Sequence, residues 1–385
     1  MDKVLILGSG LAGYTLVREI RALDLELPLH MITADAGDFY SKPMLSTGLL
    51  NGKQPGSLVN ASAREMADKH GLNIETGCCV TQIDRQAKRV ITDAGERQYD
   101  KLVLALGAHP ILPAMRGDAI DRRITINSLY DYAGFRQRLP DAPAHIAIIG
   151  PGLVGCEFAN DLLLSGYRVT LVGPDPYPIS GLLPQLTAKA LQHGMQQGGA
   201  EWRLQQAASI MEQDGQGYRL TLTDATTLSC DLVLSAVGLY PETELAEAAG
   251  LRIARGIVTN RLLQTSDDEI YALGDCAEVS GYNLPYVMPI MHGAGALAKT
   301  LAGHPTEVVY PAMPVIIKTP LHPIVAAPPD RKAQGDWLCD ENSEGTRCLY
   351  RNRAGELLGF VISGEFTAEK QALTRELPPL LPART

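Results

Sequence analysis

The chain has 385 residues, of which 45% are hydrophobic and 20% are charged, and its net charge is −9. This length and balance are typical of a soluble protein with two or three domains, and the negative charge argues against nucleic acid or an anionic membrane as the main partner. No apolar run approaches the ~20 residues that span a bilayer, and the first predicted strand leaves no room for a signal peptide. We therefore expect a cytoplasmic protein without membrane insertion.

The first predicted element is a buried strand at residues 4–7, followed by a glycine-rich turn and an amphipathic helix. In a G-x-G-x-x-G turn, the first glycine makes the turn, the second lets the backbone approach a pyrophosphate, and the third lets helix and strand pack closely. The free amides at the start of the helix then face the phosphates. We predict a dinucleotide site made by Gly8, Ser9, Gly10, Leu11, Ala12 and Gly13.

The second predicted strand, residues 29–33, leads to Ala34 and Asp35. Asp35 follows the glycine turn by about 20 residues, the spacing at which an acidic residue hydrogen-bonds a ribose hydroxyl. The alternative is an aspartate that only faces water in a turn. Further along, residues 101–107 are predicted as another buried strand, and residues 110–113 as a crossing between domains.

The glycine turn occurs a second time after a predicted strand at 146–149, with Gly150, Gly152 and Gly155 at the same spacing. One such turn is a weak signal, whereas two turns in strand–turn–helix context predict two bound dinucleotides. Glu157 falls in the first turn of the second helix, where the helix dipole favours a carboxylate.

Strands at 168–172 and 231–238 complete this second unit, and a strand at 269–273 then runs into Gly274 and Asp275. Because Asp275 ends a strand and precedes small residues, it is predicted to cap a following helix. From about residue 311 the pattern changes to short strands, at 315–318, 346–350 and 357–363, before a closing helix at 367–377.

These elements predict an α/β protein with two Rossmann-like doubly wound dinucleotide-binding domains and a small C-terminal α+β domain. The first domain is discontinuous and combines residues 1–109 with residues 239–310. The second is inserted at residues 110–238, and the C-terminal domain covers residues 311–385.

Seven cysteines stand at positions 78, 79, 156, 230, 276, 339 and 348, with no C-x-x-C motif and no zinc spacing. No metal site is predicted. An odd count without a framework pattern is typical of reduced thiols in a cytoplasm. We expect no catalytic disulfide at Cys78 and Cys79, and we expect Cys156 and Cys276 to be small buried residues.

Four stretches together resemble the FAD-dependent pyridine-nucleotide oxidoreductases. They are the two glycine turns, Tyr40-Ser41-Lys42-Pro43-Met44-Leu45-Ser46, and Ile270-Tyr271-Ala272-Leu273-Gly274-Asp275-Cys276. The resemblance covers essentially the whole chain and is strongest to the bacterial branch that reduces rubredoxin. It implies a glutathione-reductase-like architecture, with FAD in the discontinuous domain, NADH in the inserted domain and an interface domain at the C-terminus.

The resemblance also implies roles for single residues. Asp275 contacts the ribityl chain, Lys42 and Glu157 form a catalytic pair beside the flavin, and Lys318 approaches the ring edge. A lysine there stabilises negative charge on reduced flavin, as do the amides of the helix that begins at Val287. The implied cofactor-binding residues are Gly8, Ser9, Gly10, Leu11, Ala12, Gly13, Ala34, Asp35, Lys42, Val80, Gly107, Gly150, Gly152, Gly155, Glu157, Gly238, Asp275, Val287 and Lys318.

From the residues alone, each role has a simpler alternative. The helix dipole explains Glu157, a solvated loop explains Lys42, a strand-end surface charge explains Lys318, and close packing explains Val287. In the second nucleotide unit, Asp175 comes about two positions later than the usual ribose acid. No arginine stands immediately there for a 2′-phosphate, so NADH is favoured over NADPH.

The chain has neither the cysteine pair of the family's disulfide reductases nor a cysteine at 41–43, where its peroxidases and oxidases have one. The resemblance therefore implies that hydride enters from NADH and that electrons leave singly to rubredoxin or a similar small iron carrier. That carrier is a separate molecule, because the chain offers no Cys₄ iron site. A candidate docking face is basic, with a solvated charged face as the alternative; its residues are Arg331, Lys332, Arg347, Arg351 and Arg353.

Three other functions stay open at this point. The chain could reduce flavorubredoxin or a ferredoxin, act as a non-catalytic NADH-binding sensor or interaction module, or reduce peroxide. The sequence pattern is compatible with a monomer and with a homodimer.

Overall fold

The structure is a computed structural model that describes residues 3–24 and 26–384. The α-helices are α1 (Leu11–Leu23), α2 (Ala63–His70), α3 (Leu129–Arg138), α4 (Leu153–Leu164), α5 (Gln185–Gln197), α6 (Glu244–Ala248), α7 (Val287–Leu301) and α8 (Lys370–Glu376). The 3₁₀ helices are Lys42–Thr47, Pro55–Leu58, Ile120–Arg122 and Gly364–Glu369.

The strands of the described residues form eight sheets. They are β1 (Val4–Leu7), β2 (Leu29–Ile32), β3 (Phe39–Tyr40), β4 (Val59–Ala61), β5 (Asn73–Glu75), β6 (Val80–Asp84), β7 (Arg89–Thr92), β8 (Gly95–Gln98), β9 (Lys101–Leu104), β10 (Ala108–Pro110), β11 (His145–Ile149), β12 (Arg168–Gly173), β13 (Ala200–Leu204), β14 (Ala208–Asp214), β15 (Gly217–Leu222), β16 (Thr227–Cys230), β17 (Leu232–Ser235), β18 (Leu239–Pro241), β19 (Ile257–Thr259), β20 (Ile270–Ala272), β21 (Ala277–Val279), β22 (Val315–Ile317), β23 (Ile324–Ala327), β24 (Asp336–Asn342), β25 (Gly345–Arg351) and β26 (Leu357–Ser363).

The first large sheet is parallel and has the strand order β20-β9-β1-β2-β5. Every residue of β1 is buried, as expected for a parallel sheet covered on both faces. Helices α1 and α7 lie side by side and contribute to the core of this sheet. The predicted strand at 4–7 and the helix that follows it are confirmed.

The second large sheet is also parallel, with the order β13-β12-β11-β17. Alternate residues of β11 enter different cores. Ile146 and Ile148 pack with α4 and α5, and Ala147 and Ile149 pack with the antiparallel strands β14–β16. Because both faces of β11 are buried in this way, its sequence is a continuous apolar run.

The chain passes between the two parallel sheets along a short antiparallel pair, β10 with β18. His109 Nε2 of β10 is within hydrogen-bonding distance of the Glu242 carboxylate, just after β18. The domain boundaries predicted at 109/110 and 238/239 stay predictions, and each falls within or beside one of these two strands.

The C-terminal sheet is antiparallel, with the order β22-β23-β26-β25-β24. Val361 packs into the core of the second parallel sheet, whereas Phe360 and Ile362 pack against Leu373 of α8. The predicted strand at 357–363 is confirmed. The predicted closing helix is divided, since a 3₁₀ helix at 364–369 precedes α8.

One expectation about the cysteines is wrong. Cys339 and Cys348 lie opposite each other on β24 and β25 and form a disulfide. Spacing could not reveal this pair, because a hairpin register depends on the turn and not on the cysteines themselves. Cys78 and Cys79 are both free, the first buried and the second exposed. Across the described ranges, no helix is long and apolar enough to cross a membrane.

Candidate functional site

The first glycine turn has two glycines that the protein's own packing requires and one that borders open space. Gly8 has a φ of +108°, and a Cβ there would overlap the Ala105 carbonyl. A Cβ at Gly13 would overlap the Gly8 carbonyl, whereas a Cβ at Gly10 would meet nothing within 4 Å. Gly10 is the N-cap of α1 and no side chain caps it. The open space beside uncapped amides fits a pyrophosphate.

The second turn repeats this arrangement at the start of α4. Gly150 has a φ of +104°, and a Cβ on Gly155 would overlap the Gly150 carbonyl. Gly152 again has nothing within 4 Å of its Cβ position, and no side chain caps α4. Both turns therefore leave room for a diphosphate at the same point.

Asp35 is held in a turn and still has a free oxygen. Its Oδ1 accepts hydrogen bonds from Ser9 Oγ at 3.1 Å, Thr33 Oγ1 at 2.7 Å and the Gly37 amide at 2.9 Å. Within the described residues, Oδ2 has no partner. The turn interpretation and the ribose interpretation are thus compatible, and the ribose contact stays a prediction.

Asp275 follows a glycine that packs against the first turn of α1, but it does not cap a helix as predicted. A Cβ on Gly274 would lie 2.9 Å from the Ala12 Cβ, so this glycine brings Asp275 to the first dinucleotide turn. The predicted helix after Asp275 does not form. Strand β21 begins at Ala277 instead, and it pairs with β19. Asp275 therefore caps no helix.

Lys42 begins the 3₁₀ helix at 42–47 and faces Asp275. Burial lowers the pKa of the Lys42 ammonium, and the carboxylates of Asp275 and Asp131 oppose that effect. Burial likewise raises the pKa of Asp275, and Lys42 opposes the rise. In the described chain, no group accepts a hydrogen bond from Lys42 or pairs with it within 4 Å.

Glu157 pairs with Lys318, and the predicted pair of Glu157 with Lys42 is wrong. The Lys318 Nζ lies 2.7 Å from Glu157 Oε2, and the Lys318 amide donates to Oε1 at 3.0 Å. Ser46 Oγ donates to Oε2 at 2.7 Å. Lys318 Nζ also donates to Ser46 Oγ at 2.8 Å and to the Pro43 carbonyl at 2.6 Å. All three N–H groups of this ammonium are therefore used.

The cluster of Ser46, Glu157 and Lys318 joins three parts of the chain. Ser46 belongs to the 3₁₀ helix at 42–47 and Glu157 belongs to α4. Lys318 is the residue that directly follows β22. Sequence reasoning missed Ser46, although it lies in the Tyr40–Ser46 motif. The partner of Glu157 was missed because both lysines are candidates by charge, and only the packing of the C-terminal sheet brings Lys318 near.

Helix α4 carries two further buried polar residues that sequence reasoning missed. Asn160 Oδ1 accepts the Leu321 amide at 3.0 Å. Asp161 accepts the amides of Leu49 and Leu50, and burial raises its pKa to about 6. The available signal was a polar pair one turn after Glu157 in an otherwise apolar buried helix.

The remaining predicted cofactor contacts lie at element boundaries. Val80 begins β6, Gly107 follows β9 with nothing within 4 Å of its Cβ position, and Gly238 precedes β18. Val287 is the exposed first residue of α7, which no side chain caps. Ala34 follows β2. The contacts of these residues with a cofactor stay predictions.

The thiols nearest the glycine turns are buried. Cys156 Sγ donates to the Pro151 carbonyl, and Cys276 Sγ donates to the Leu104 carbonyl. Burial raises the pKa of Cys156 well above its usual range and that of Cys276 to about 11. Because the thiolate is the reactive form, neither cysteine is suited to redox chemistry at neutral pH.

Comparison with known proteins decides the family. Residues 2–298 match the family model described as pyridine nucleotide-disulphide oxidoreductase. The chain belongs to this family. Residues 307–377 match a second model, described as a rubredoxin-binding C-terminal domain. The chain is therefore an oxidoreductase of this family with a C-terminal domain of that type.

Individual relatives cover the chain from end to end. A rubredoxin-NAD(+) reductase from Alcanivorax borkumensis is 43% identical over 99% of this chain and 100% of its own length. A nitric oxide reductase FlRd-NAD(+) reductase from Aeromonas hydrophila is 39% identical over 98% of this chain and 96% of its own. The solved ferredoxin reductase from Rhodopseudomonas palustris superposes with a TM-score of 0.88 at 24% identity, covering 98% of this chain and 96% of its own. The predicted fold class is confirmed.

Proposed function

We propose that this protein is an NADH:rubredoxin oxidoreductase that uses FAD. The observation that carries the proposal is the Ser46–Glu157–Lys318 cluster, in which a C-terminal domain of the rubredoxin-binding type reaches the region between two dinucleotide turns. The names of the full-length relatives agree with it. We propose a cytoplasmic location because the electron donor is NADH. The Cys339–Cys348 disulfide argues against this location, because disulfides are rare in cytosolic proteins.

The chain's residues fit both nucleotides. The turn at 8–13, with Asp35 and Asp275, would hold FAD, and the turn at 150–155 would hold NADH, because Gly10 and Gly152 border the open spaces. FAD, when bound, supplies the ability to take a hydride and to release electrons one at a time.

The two lysines have different roles in this proposal. Lys318 uses its three N–H groups on Pro43, Ser46 and Glu157, so it acts as a fixed positive charge that orders the cluster. Lys42 keeps all its donors unused among the described residues. It is therefore the ammonium that is available to a bound ligand, and it would stabilise negative charge there.

Replacing Lys42 by alanine is expected to slow flavin reduction by NADH while FAD stays bound. Lys42 is half-buried, and loss of one preorganised donor from such a site typically slows a step by about 10²-fold. Stopped-flow bleaching of the flavin absorbance measures this rate. Lys69→Ala, an exposed lysine on α2, is the control. Bleaching of the Lys42→Ala protein at the control's rate would contradict the role.

The carrier is expected to dock near the Pro43–Lys318 contact. Met44, which is 43% exposed, directly follows Pro43, and Ile316, which is 56% exposed, stands two residues before Lys318. If the two side chains form one contiguous apolar patch, such a patch is the kind of surface that marks an interaction site. The basic face predicted at the C-terminus is partly neutralised, because Arg347 pairs with Asp340 and Glu369, and Arg351 pairs with Glu376.

The proposal is tested by mixing the purified protein with NADH and, separately, rubredoxin, flavorubredoxin, a ferredoxin and peroxide. We expect NADH to bleach the flavin and rubredoxin to be reduced fastest. Faster reduction of flavorubredoxin would indicate instead that this protein has the activity for which the Aeromonas relative is named. A bound flavin that NADH does not bleach would indicate a non-catalytic module, and rapid peroxide turnover would indicate a peroxide reductase.

A further inference from the structure

Asp161 joins α4 to the segment that carries Lys42. It lies one turn after Glu157, is only 4% exposed, and uses both carboxylate oxygens. Oδ2 accepts the Leu49 amide at 3.1 Å, and Oδ1 accepts the Leu50 amide at 2.8 Å. These amides follow the 3₁₀ helix at 42–47 after one residue, its C-cap Gly48.

Helix α4 therefore holds this 3₁₀ helix at two points. Glu157 binds it through Ser46 Oγ, and Asp161 binds the turn after it. Between these points, Leu45 is buried in the same core as Ile148 and Phe158. The position of Lys42 thus depends on α4, the helix whose start makes the second glycine turn.

Only an ionised carboxylate satisfies both amides, because a protonated carboxyl has one good acceptor oxygen and an asparagine replaces the other with a donor. Keeping this charge buried costs stability, since burial raises the pKa of Asp161 to about 6. Opposing charges come from Arg136 of α3 and from Lys318, while Tyr132 of α3 and Glu157 also face this region. A residue that lowers stability but fixes the position of a loop is expected where the function of the protein depends on that position.

We propose that Asp161 is a positioning residue for the proposed reaction, in which its ionised carboxylate fixes the segment 42–50 on α4 and so sets the place of the Lys42 ammonium. This inference rests on the proposed function for its kinetic part only. Protonation frees one of the two amides and lets the segment move.

The first test is hydrogen exchange of the holoprotein without NADH, which does not depend on activity. Asp161→Asn is expected to speed exchange of the amides at 49 and 50 by about 10-fold, the effect of losing one hydrogen bond. Asp68→Asn is the matched control, because Asp68 is an aspartate whose side chain is 77% exposed. Unchanged exchange at 49 and 50 would overturn the proposal.

The second test separates positioning from simple stability by pH. In the wild type, flavin reduction is expected to fall as the pH drops through about 6, the pKa of Asp161, and to be flat in Asp161→Asn. Stability moves the other way. Because the pKa is raised on folding, this group stabilises the fold at low pH, and that contribution is lost as the pH rises through about 6.

The two tests also distinguish this inference from the proposed function. If NADH does not bleach the wild-type flavin while exchange at 49 and 50 still responds to Asp161→Asn, the proposed function is wrong. The attachment of the segment 42–50 to α4 by Asp161 is then still supported. If bleaching occurs and Asp161→Asn keeps the wild-type pH profile, the positioning role is wrong.

Discussion

Replacing Gly10 by valine is expected to give a folded protein that purifies without FAD. Gly10 has a φ of −66°, which valine accepts, and its Cβ position has nothing within 4 Å. The new side chain would fill the space assigned to the pyrophosphate. The loss of two or more charge-assisted hydrogen bonds weakens binding by about 100-fold or more. Flavin absorbance per chain, with circular dichroism as a folding check, measures the outcome.

The neighbouring glycines provide the comparison. Gly13→Val should fail to fold, because its Cβ would overlap the Gly8 carbonyl. Gly152→Val, the equivalent change in the second turn, should keep FAD and lose reduction by NADH. A yellow Gly10→Val protein, or a Gly152→Val protein that NADH still reduces, would show that the open spaces are not the nucleotide sites.

Breaking the Glu157–Lys318 pair is expected to have the second large effect. Glu157→Ala removes the acceptor of the Lys318 amide and the only carboxylate that pairs with its ammonium among the described residues, in a partly buried site. Because the Lys318 side chain is 28% exposed and its ammonium keeps two other acceptors, we expect a loss of about 1–3 kcal/mol, less than for a fully buried pair. We also expect flavin reduction to slow by about 10²-fold, because the cluster orders the segment that carries Lys42. Chemical denaturation and stopped-flow bleaching measure the two effects.

A double-mutant cycle shows whether the two residues act as a unit. Glu157→Gln combined with Lys318→Met should restore most of the stability that each single change removes, since an uncharged pair leaves no isolated charge buried. The slow flavin reduction should persist, because the fixed positive charge is gone. Additive losses of stability would indicate that Glu157 and Lys318 contribute independently.

The local geometry of this protein was predictable because it depends on residues close in the sequence. Strand β1, the start of α1 and both glycine turns follow from apolar periodicity and from the spacing of three glycines. Strand β26 is buried on both faces, with neighbouring residues in two different cores, which also agrees with its apolar run. The strand that precedes Asp275 was predicted correctly, but the helix expected after it was wrong because β21 pairs with β19 instead.

The partners within the site were not predictable, because they come from distant parts of the chain. Either lysine could have neutralised Glu157 by charge. The choice of Lys318 follows from the C-terminal sheet, whose residue Ile317 shares a core with Leu45 and Cys156. The same packing brings Asp161 to the amides of Leu49 and Leu50, and a hairpin register brings Cys339 to Cys348.

The amino-acid pattern alone thus established two dinucleotide turns, an α/β architecture and the residue types of the site. Tertiary packing decided which of those residues meet. The reason is that turns and periodicity express interactions over a few residues, whereas Glu157 and Lys318 are 161 positions apart and meet only when three units of the chain are assembled around one core.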